Sequence, residues 1–441
     1  METLRKGLSA PGLLSTIRQK FDRIPDPRSR SGSVQIRLSD ALMSGLAVFG
    51  LKCPSLLQFD QQRRDPILEH NLRQLYGVRQ VPCDTQLRQI LDPIDPRLLR
   101  PAFSAVFAQA QRGKVLEDYV FFDGYYLLAL DGTGFFASTS VSCPHCCVKK
   151  AGTDEERYYH QLLGGVLIHP QHKEVIPLAP EPIVRSDGQE KNDCERNAAK
   201  RLLADTRREH PHLPLIVVED ALAANAPHIE TLQALDMRFI LGVKPGSHYA
   251  LFEDAEQALA QGEGHTLEQV DADDARITHS FRWVEDLALN DSHKQLRVHF
   301  LDYEQIGPKK TQHFTWITDL PLTPDTVYTI MRGGRCRWKI ENETFNTLKN
   351  QGYHLEHNYG HGSQYLASVF AYLTMLAFLV DQLQKHTCPL FQQALEKNHS
   401  MRGLWDKMRA FFLVLTLDDW TQLFHALIHG PGRHTLAYDT S

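Results

Sequence analysis

Three acids in this sequence stand where chain pattern could bring carboxylates together. Asp131 ends the apolar stretch YYLLAL, immediately before Gly132. Asp220 closes the apolar LIVVE, and Glu341 lies in RWKIENETFNTLK, residues 337–349, which reads as a helix. Sheets of α/β proteins gather ligands beyond their strand ends, so acids at the ends of neighbouring strands can converge. A third carboxylate from a later helix would complete an oxygen-rich cluster. Such a cluster suits Mg²⁺ or Mn²⁺, and two ions about 3.5–4 Å apart can clamp both the attacking and the leaving oxygen of a phosphodiester.

Helical phase is a way to choose between the two glutamates of the third stretch. At about 100° per residue, Trp338, Glu341, Phe345 and Leu348 fall on one stripe, and Glu343 lies about 140° from Trp338. A carboxylate on an apolar stripe is costly unless it is paired or bound to metal. Glu341 is therefore the odd residue and Glu343 a solvent-facing charge. Pairing of Glu341 with Arg337, four residues earlier, is the other reading. Glu219, beside Asp220, is a rival ligand that strand alternation does not exclude. Asp123, in FFDG, reads as a turn residue.

Two further groups could carry chemistry. Cys143, His145, Cys146 and Cys147 crowd into CPHCC, with His160 or Cys194 as further donors. They read either as a zinc site on Cys143, Cys146 and Cys147 or as free thiols in a loop. His354, His357 and His361 lie in GYHLEHNYGHG. They could reach DNA or a metal-bound water, or simply belong to a polar, Gly-rich loop.

The elements that must position these residues follow from pattern. Residues 34–113 read as several short helices, with LSDALMSGLAVFGL opening on a Ser-Asp cap. YVFFDGYYLLALDGTGFFAS reads as a strand ending near Asp131 and a hairpin into a second strand. YYHQLLGGVLIHP and EVIPLAPEPI read as further strands. A helix over KNDCERNAAKRLLADTRREH, the strand LPLIVVED, a helix in NAPHIETLQALD and the strand RFILGVK then give a mixed α/β sheet. ARITHSFRWV, QLRVHFLDYE and QHFTWITD are β-type and predict an antiparallel insertion. Helix returns at LTPDTVYTIMRGG, with Thr323 as cap and Pro324 in the first turn. The apolar run at 365–380 is short of the ~20 residues that span a bilayer, so it reads as a buried helix.

Composition sets the frame. The chain has 441 residues, 42% hydrophobic and 23% charged, with net charge −5. Residues 1–114 carry 18 Lys and Arg against 10 Asp and Glu, so the remainder is acidic. That distribution fits either a basic DNA-contacting arm on a carboxylate-rich body or ordinary scatter of charge. Nothing at the N-terminus reads as a signal peptide, and eight unevenly spread cysteines suit a reduced cytosol.

Taken together, LDGTG, VVEDALAANAP and RCRWKIENETFNTLK resemble the three acidic motifs of DDE transposases from bacterial insertion sequences, of the type with a β-rich insertion before the Glu. IPDPR, GLKCPSLLQFD, KNDCERNAAKRLL and GYHLEHNYGHG also resemble that group. The resemblance implies a ribonuclease-H-like core with Asp131, Asp220 and Glu341 as catalytic and metal-binding residues. Arg-Trp-x-Ile-Glu matches at Arg337, Trp338, Ile340 and Glu341. It departs from the fuller signature Tyr-x2-Arg-x3-Glu-x6-Lys: Gly334 stands at the Tyr position and Leu348 at the Lys position, with Lys349 one residue late. Arg337, Lys349, Arg335 and Trp338 are the expected DNA-contacting residues.

The expected architecture is a ribonuclease-H-like mixed sheet with a β-rich insertion and helical ends. Its expected parts are a helical, basic, DNA-binding region (1–115), the first part of the core (116–250), the insertion (251–322), the Glu helix and end of the core (323–385), and a helical C-terminal region (386–441). The expected function is cutting and joining of insertion-sequence ends with two Mg²⁺ or Mn²⁺ ions. The expected partners are double-stranded DNA (terminal inverted repeats and target) and a second copy of the chain on DNA, with no membrane, in the bacterial cytosol. A ribonuclease-H-like nuclease that does not transpose and a catalytically silent DNA-binding protein are the rival readings.

Overall fold

The computed structural model describes residues 7–28, 34–185 and 194–432. DRIPDPRSRSGS (22–33), which reads from its Pro, Ser and Arg as a linker or a flexible basic loop, lies partly outside the described residues, as do the start of KNDCERN and the last nine residues.

Strand β2 (Tyr125–Ser138) is the centre of the sheet. It is antiparallel to β4 (Arg157–His169) on one side and parallel to β7 (Leu215–Glu219) on the other. Beyond β7 comes β8 (Arg238–Gly242), also parallel. β3 (Cys147–Lys149), β5 (His172–Pro177) and β6 (Glu181–Ile183) line the far edge of β4, all antiparallel to it. Three antiparallel layers followed by two strands parallel to the first is the ribonuclease-H-like arrangement. It follows from connection: β4 turns directly back into β5, whereas α7 (Glu195–Glu209) and α8 (Ala226–Ala234) make the crossovers that parallel pairs require.

The inserted segment does not form a separate body. After α9 (Tyr249–Gln261), the strands β9 (His265–Val270), β10 (Thr278–Ala288), β11 (Arg297–Ile306) and β12 (Thr311–Thr318) form an antiparallel meander. β12 pairs with β8 through Trp316, Ile317 and Thr318, which makes one 12-stranded sheet.

Helices cover the sheet and fuse the ends of the chain. α1 (Ala10–Phe21), α2 (Leu38–Gly50), α3 (Leu56–Gln62), α4 (Pro66–Tyr76), α5 (Asp84–Leu91) and α6 (Arg100–Arg112) precede it. α10 (Val327–Cys336), α11 (Asn346–Asn350), α12 (Leu366–Thr387), α13 (Pro389–Asn398), α14 (Met401–Val414) and α15 (Trp420–His429) follow it. α12 is long and apolar enough to cross a membrane, yet its most apolar window is wholly buried among the other elements. It packs on β5 and on α2, so one hydrophobic core joins the N-terminal helices, the sheet and the C-terminal helices.

Several local expectations are corrected. The Asp131–Gly132 dipeptide is not a turn. β2 runs through it with continuous pairing to β4, and the hairpin turn sits earlier, at Asp123–Gly124, where β1 (Val120–Phe122) turns back with positive φ at both residues. Ser39 and Asp40 do not cap α2; both lie inside its first turn and are buried, and Arg37 occupies the cap position. α10 begins at Val327 rather than at Pro324, because residues 323–326 close a hydrogen-bonded turn of their own.

Candidate active site

Asp131 and Asp220 are placed by strand register. Ala129 of β2 lies opposite Val218 of β7, and two residues further along each strand come Asp131 and Asp220. Asp131 lies inside β2 and Asp220 just past the end of β7, and the charges of both act on Arg337. The Leu222 N–H donates to Asp220 Oδ1 at 2.9 Å, and the Gly132 N–H donates to Asp131 Oδ1 at 2.9 Å. Glu219 points the other way. It is buried and has a partner of its own in His228 Nε2 at 2.5 Å.

The Glu341 segment lies across the sheet beside Asp131. Gly164 is the β4 partner of Asp131, and a Cβ on it would meet Phe345 Cζ at 2.9 Å. The missing side chain lets the helix rest against the strand. Between α10 and α11 the backbone widens into a π-helical turn over Ile340–Phe345. This turn overturns the stripe expected from a 100° phase: Trp338 is 45% exposed, Glu341 is exposed, and Ile340, Thr344, Phe345 and Leu348 form the buried face. Glu341 is thus on the open side of the helix, toward the acids.

Arg337 joins the group. Its Nη2 donates to Glu341 Oε1 at 2.6 Å and its Nη1 to Asp131 Oδ2 at 3.2 Å. Burial lowers the Arg337 pKa, but the hydrogen bond and charge of Glu341 and the charges of Asp131 and Asp220 more than reverse this. Burial pushes the Asp131 carboxyl up to about 6. Arg337 and the Gly132 N–H oppose the rise, and the charges of Glu341 and Glu195 add to it.

Glu195 is a fourth carboxylate that the sequence reading did not single out. It is the first residue of α7, and its Oε1 lies 2.2 Å from where a Cβ of Gly132 would stand. Desolvation raises its pKa, and Asp220 and Glu219 raise it further, so it shares the field of the strand acids. Its sequence signals are an acid at the start of a helix, a common preference, and its place in KNDCERNAAKRLL.

The donor set fits hard divalent cations. All four acids offer oxygen, and the one guanidinium between them does not bring Asp131 back to an ordinary carboxylate value. Asp131, Asp220 and Glu341, with Glu195 beside them, would hold the ions.

The remaining expected contacts are distributed differently. Arg335 turns away from the acids to Gln305 of β11, with its guanidinium 5.0 Å from the Phe314 ring centre. Lys349 pairs with Glu356 at 3.0 Å. The departures from the family signature are packing constraints: a Cβ at Gly334 would lie 2.6 Å from Trp316, and Leu348 is fully buried. The Cys147 thiol is buried and donates to the Ile183 carbonyl at 3.5 Å, so the expected zinc triad with Cys143 and Cys146 is corrected. Cys194 is exposed, at the cap of α7. His361 instead joins Cys143, Cys146 and His160.

Fold and site define a ribonuclease-H-like protein with a carboxylate centre on its two middle parallel strands. The model of the transposase DDE domain family matches residues 123–380, more than half of the chain and all four acids, and the chain belongs to that family. Among solved structures, it is similar to a piggyBac transposase in a synaptic complex with hairpin DNA, at 12% identity and a TM-score of 0.40, over 93% of this chain and 80% of that one. A search of curated proteins finds no match.

Proposed function

We propose that the chain is an active DNA transposase that cuts and joins the ends of an insertion sequence in the bacterial cytosol. The observation that carries this reading is that Arg337 contacts both Asp131 and Glu341 and feels the charge of Asp220, in a chain of the transposase DDE family. Two Mg²⁺ or Mn²⁺ ions, when bound, would supply a nucleophile activated at neutral pH and charge to offset the leaving oxygen.

The protein's own residues then do the following. Asp131 and Asp220 present oxygens from a rigid sheet, and Glu341 adds one from a helix seated on it, so the geometry is fixed before DNA arrives. Arg337 holds Asp131 and Glu341 in place. Once their charge is neutralised, its guanidinium is free to take a phosphate oxygen. Trp338, exposed beside Arg337, offers a flat face to a base at the cut site. The basic helices of residues 1–115 bind terminal inverted repeats by phosphate contacts. A homodimer on DNA would hold two ends and the target.

Labelled element ends with Mg²⁺ test this reading. Asp131→Asn, Asp220→Asn and Glu341→Gln should each lower strand cleavage by about 10²–10³-fold or more while leaving end binding unchanged. Undiminished cleavage in any of the three sinks the assignment. Cleavage without strand joining in the unmodified protein would favour the nuclease reading instead.

A further inference from the structure

Away from the carboxylates, Cys143, Cys146, His160 and His361 bring four soft donor atoms to one point, all within 4.8 Å of one another. Three separate stretches supply them. Cys143 and Cys146 sit in a turn before β3, closed by the Cys146 N–H donating to the Cys143 carbonyl at 3.1 Å. His160 is in β4, one strand over from Phe136. His361 arrives on the segment before α12. That segment is fixed from the other side by Asp92, which accepts from the N–H groups of Ser363, Gln364 and Leu366. Gly362, at φ +70°, makes the bend, and a Cβ there would strike Asp92 Oδ1.

The separations match the edges of a metal tetrahedron. Bonds of about 2.3 Å to sulfur and about 2.0–2.1 Å to nitrogen give S–S edges of about 3.8 Å and S–N edges of about 3.5 Å. The structure has Cys143 Sγ to Cys146 Sγ at 3.9 Å. Sulfur–nitrogen distances are 3.4 and 3.5 Å to His160 Nε2 and 3.2 Å from Cys146 to His361 Nε2. A disulfide is a poor account of this group, since both cysteines are free thiols and the sulfurs stand far beyond bonding distance.

Burial points the same way. Cys146 is 2% exposed, His160 1% and His361 8%. Both imidazole Nε2 atoms face sulfur. Interior polar groups ordinarily satisfy each other, so four of them meeting only through weak thiol contacts lack a partner in common.

We infer that Cys143, Cys146, His160 and His361 bind one Zn²⁺ ion in a closed, structural Cys2His2 site that staples the segment following the Glu341 helix to the β2–β4 layer. Four protein ligands leave no open position, so the ion serves architecture rather than bond making. It would tie Asp131's own strand neighbourhood to the chain that leaves Glu341, and so hold the two sides of the acidic centre together.

Metal analysis of the full-length protein tests this without any assay of activity. After dialysis against EDTA, which strips weakly held Mg²⁺, one zinc per chain should remain. Replacement by Co²⁺ should give the intense visible bands of a tetrahedral ion and thiolate-to-metal charge transfer. Cys143→Ser and His361→Ala should lose both zinc and those bands, whereas Asp131→Asn and Cys147→Ser should keep them. The inference is overturned if protein refolded with zinc retains none, if the cobalt spectrum is weak and octahedral, or if thiol counting finds Cys143 and Cys146 joined under reducing-free conditions with zinc present. The spectrum of the unmodified protein decides the matter even if a variant fails to fold. Loss of zinc with intact DNA cleavage, or the converse, separates this site from the transposase reading.

Discussion

At the scale of single residues, the acidic centre is a balance of like charges around one guanidinium. Burial raises Asp131 to about 6, Arg337 opposes the rise, and the charges of Glu341 and Glu195 add to it. Glu195 adds its charge to that rise from the position a Gly132 side chain would occupy. Glu195→Gln should therefore weaken divalent-metal binding or cleavage by about 10–100-fold with the fold intact. Gly132→Ala should reproduce much of that loss. The added methyl meets only the flexible end of Glu195, so the side chain swings away while the strand stays paired. Mn²⁺ titration followed by thermal shift reads both effects; unchanged metal affinity in both variants would remove Glu195 from the centre.

At the scale of elements, glycines decide how closely helices approach the sheet. Gly164 seats Phe345, Gly333 seats Phe121, and Gly334 seats Trp316. The π-helical turn then rotates Glu341 to the open side, as such turns often do at functional sites. Restoring the family tyrosine by Gly334→Tyr should not restore a DNA contact. It should cost about 1–3 kcal/mol or more from overpacking against Trp316. Urea denaturation measures this, and a variant as stable as the parent would show that α10 can slide outward. The helix itself was legible in RWKIENETFNTLK, but its phase was not. A uniform 100° step put Trp338 and Glu341 on the apolar stripe, whereas the widened turn put Ile340 and Thr344 there. The choice of Glu341 over Glu343 rested on that mistaken stripe and on the motif; only the contact with Arg337 gives it a structural footing.

At the scale of the whole molecule, a buried ion pair sits where the N-terminal helices meet the C-terminal ones. Lys52, with no exposed side-chain surface, bonds Asp381 of α12, and its Nζ lies 3.9 Å from the Trp405 ring centre of α14. Tyr353 Oη donates to the same Asp381 oxygen at 2.7 Å. Burial lowers the Lys52 pKa and raises that of Asp381, each opposed by the other's charge. Lys52→Met leaves a buried carboxylate uncompensated and should cost about 3–5 kcal/mol. Adding Asp381→Leu should recover most of it, which a double-mutant cycle in denaturant would show; simple additivity would contradict the pairing.

The sequence by itself carried the kind of most main elements and pointed to three candidate acids. Alternation and apolar runs mark β2, β4, β7 and β8 because side-chain burial on a pleated strand is a local property. The apolar runs break at Asp131, which lies inside β2, and at Asp220, just past the end of β7. Tertiary structure alone decided which atoms meet. Glu195 reaches the centre because Gly132 leaves room across the sheet, the meander joins the main sheet through β8, and His361 replaces Cys147 in the thiol cluster because Asp92 fixes a distant segment. Those outcomes depend on contacts between residues far apart in the chain, where no local period carries the information.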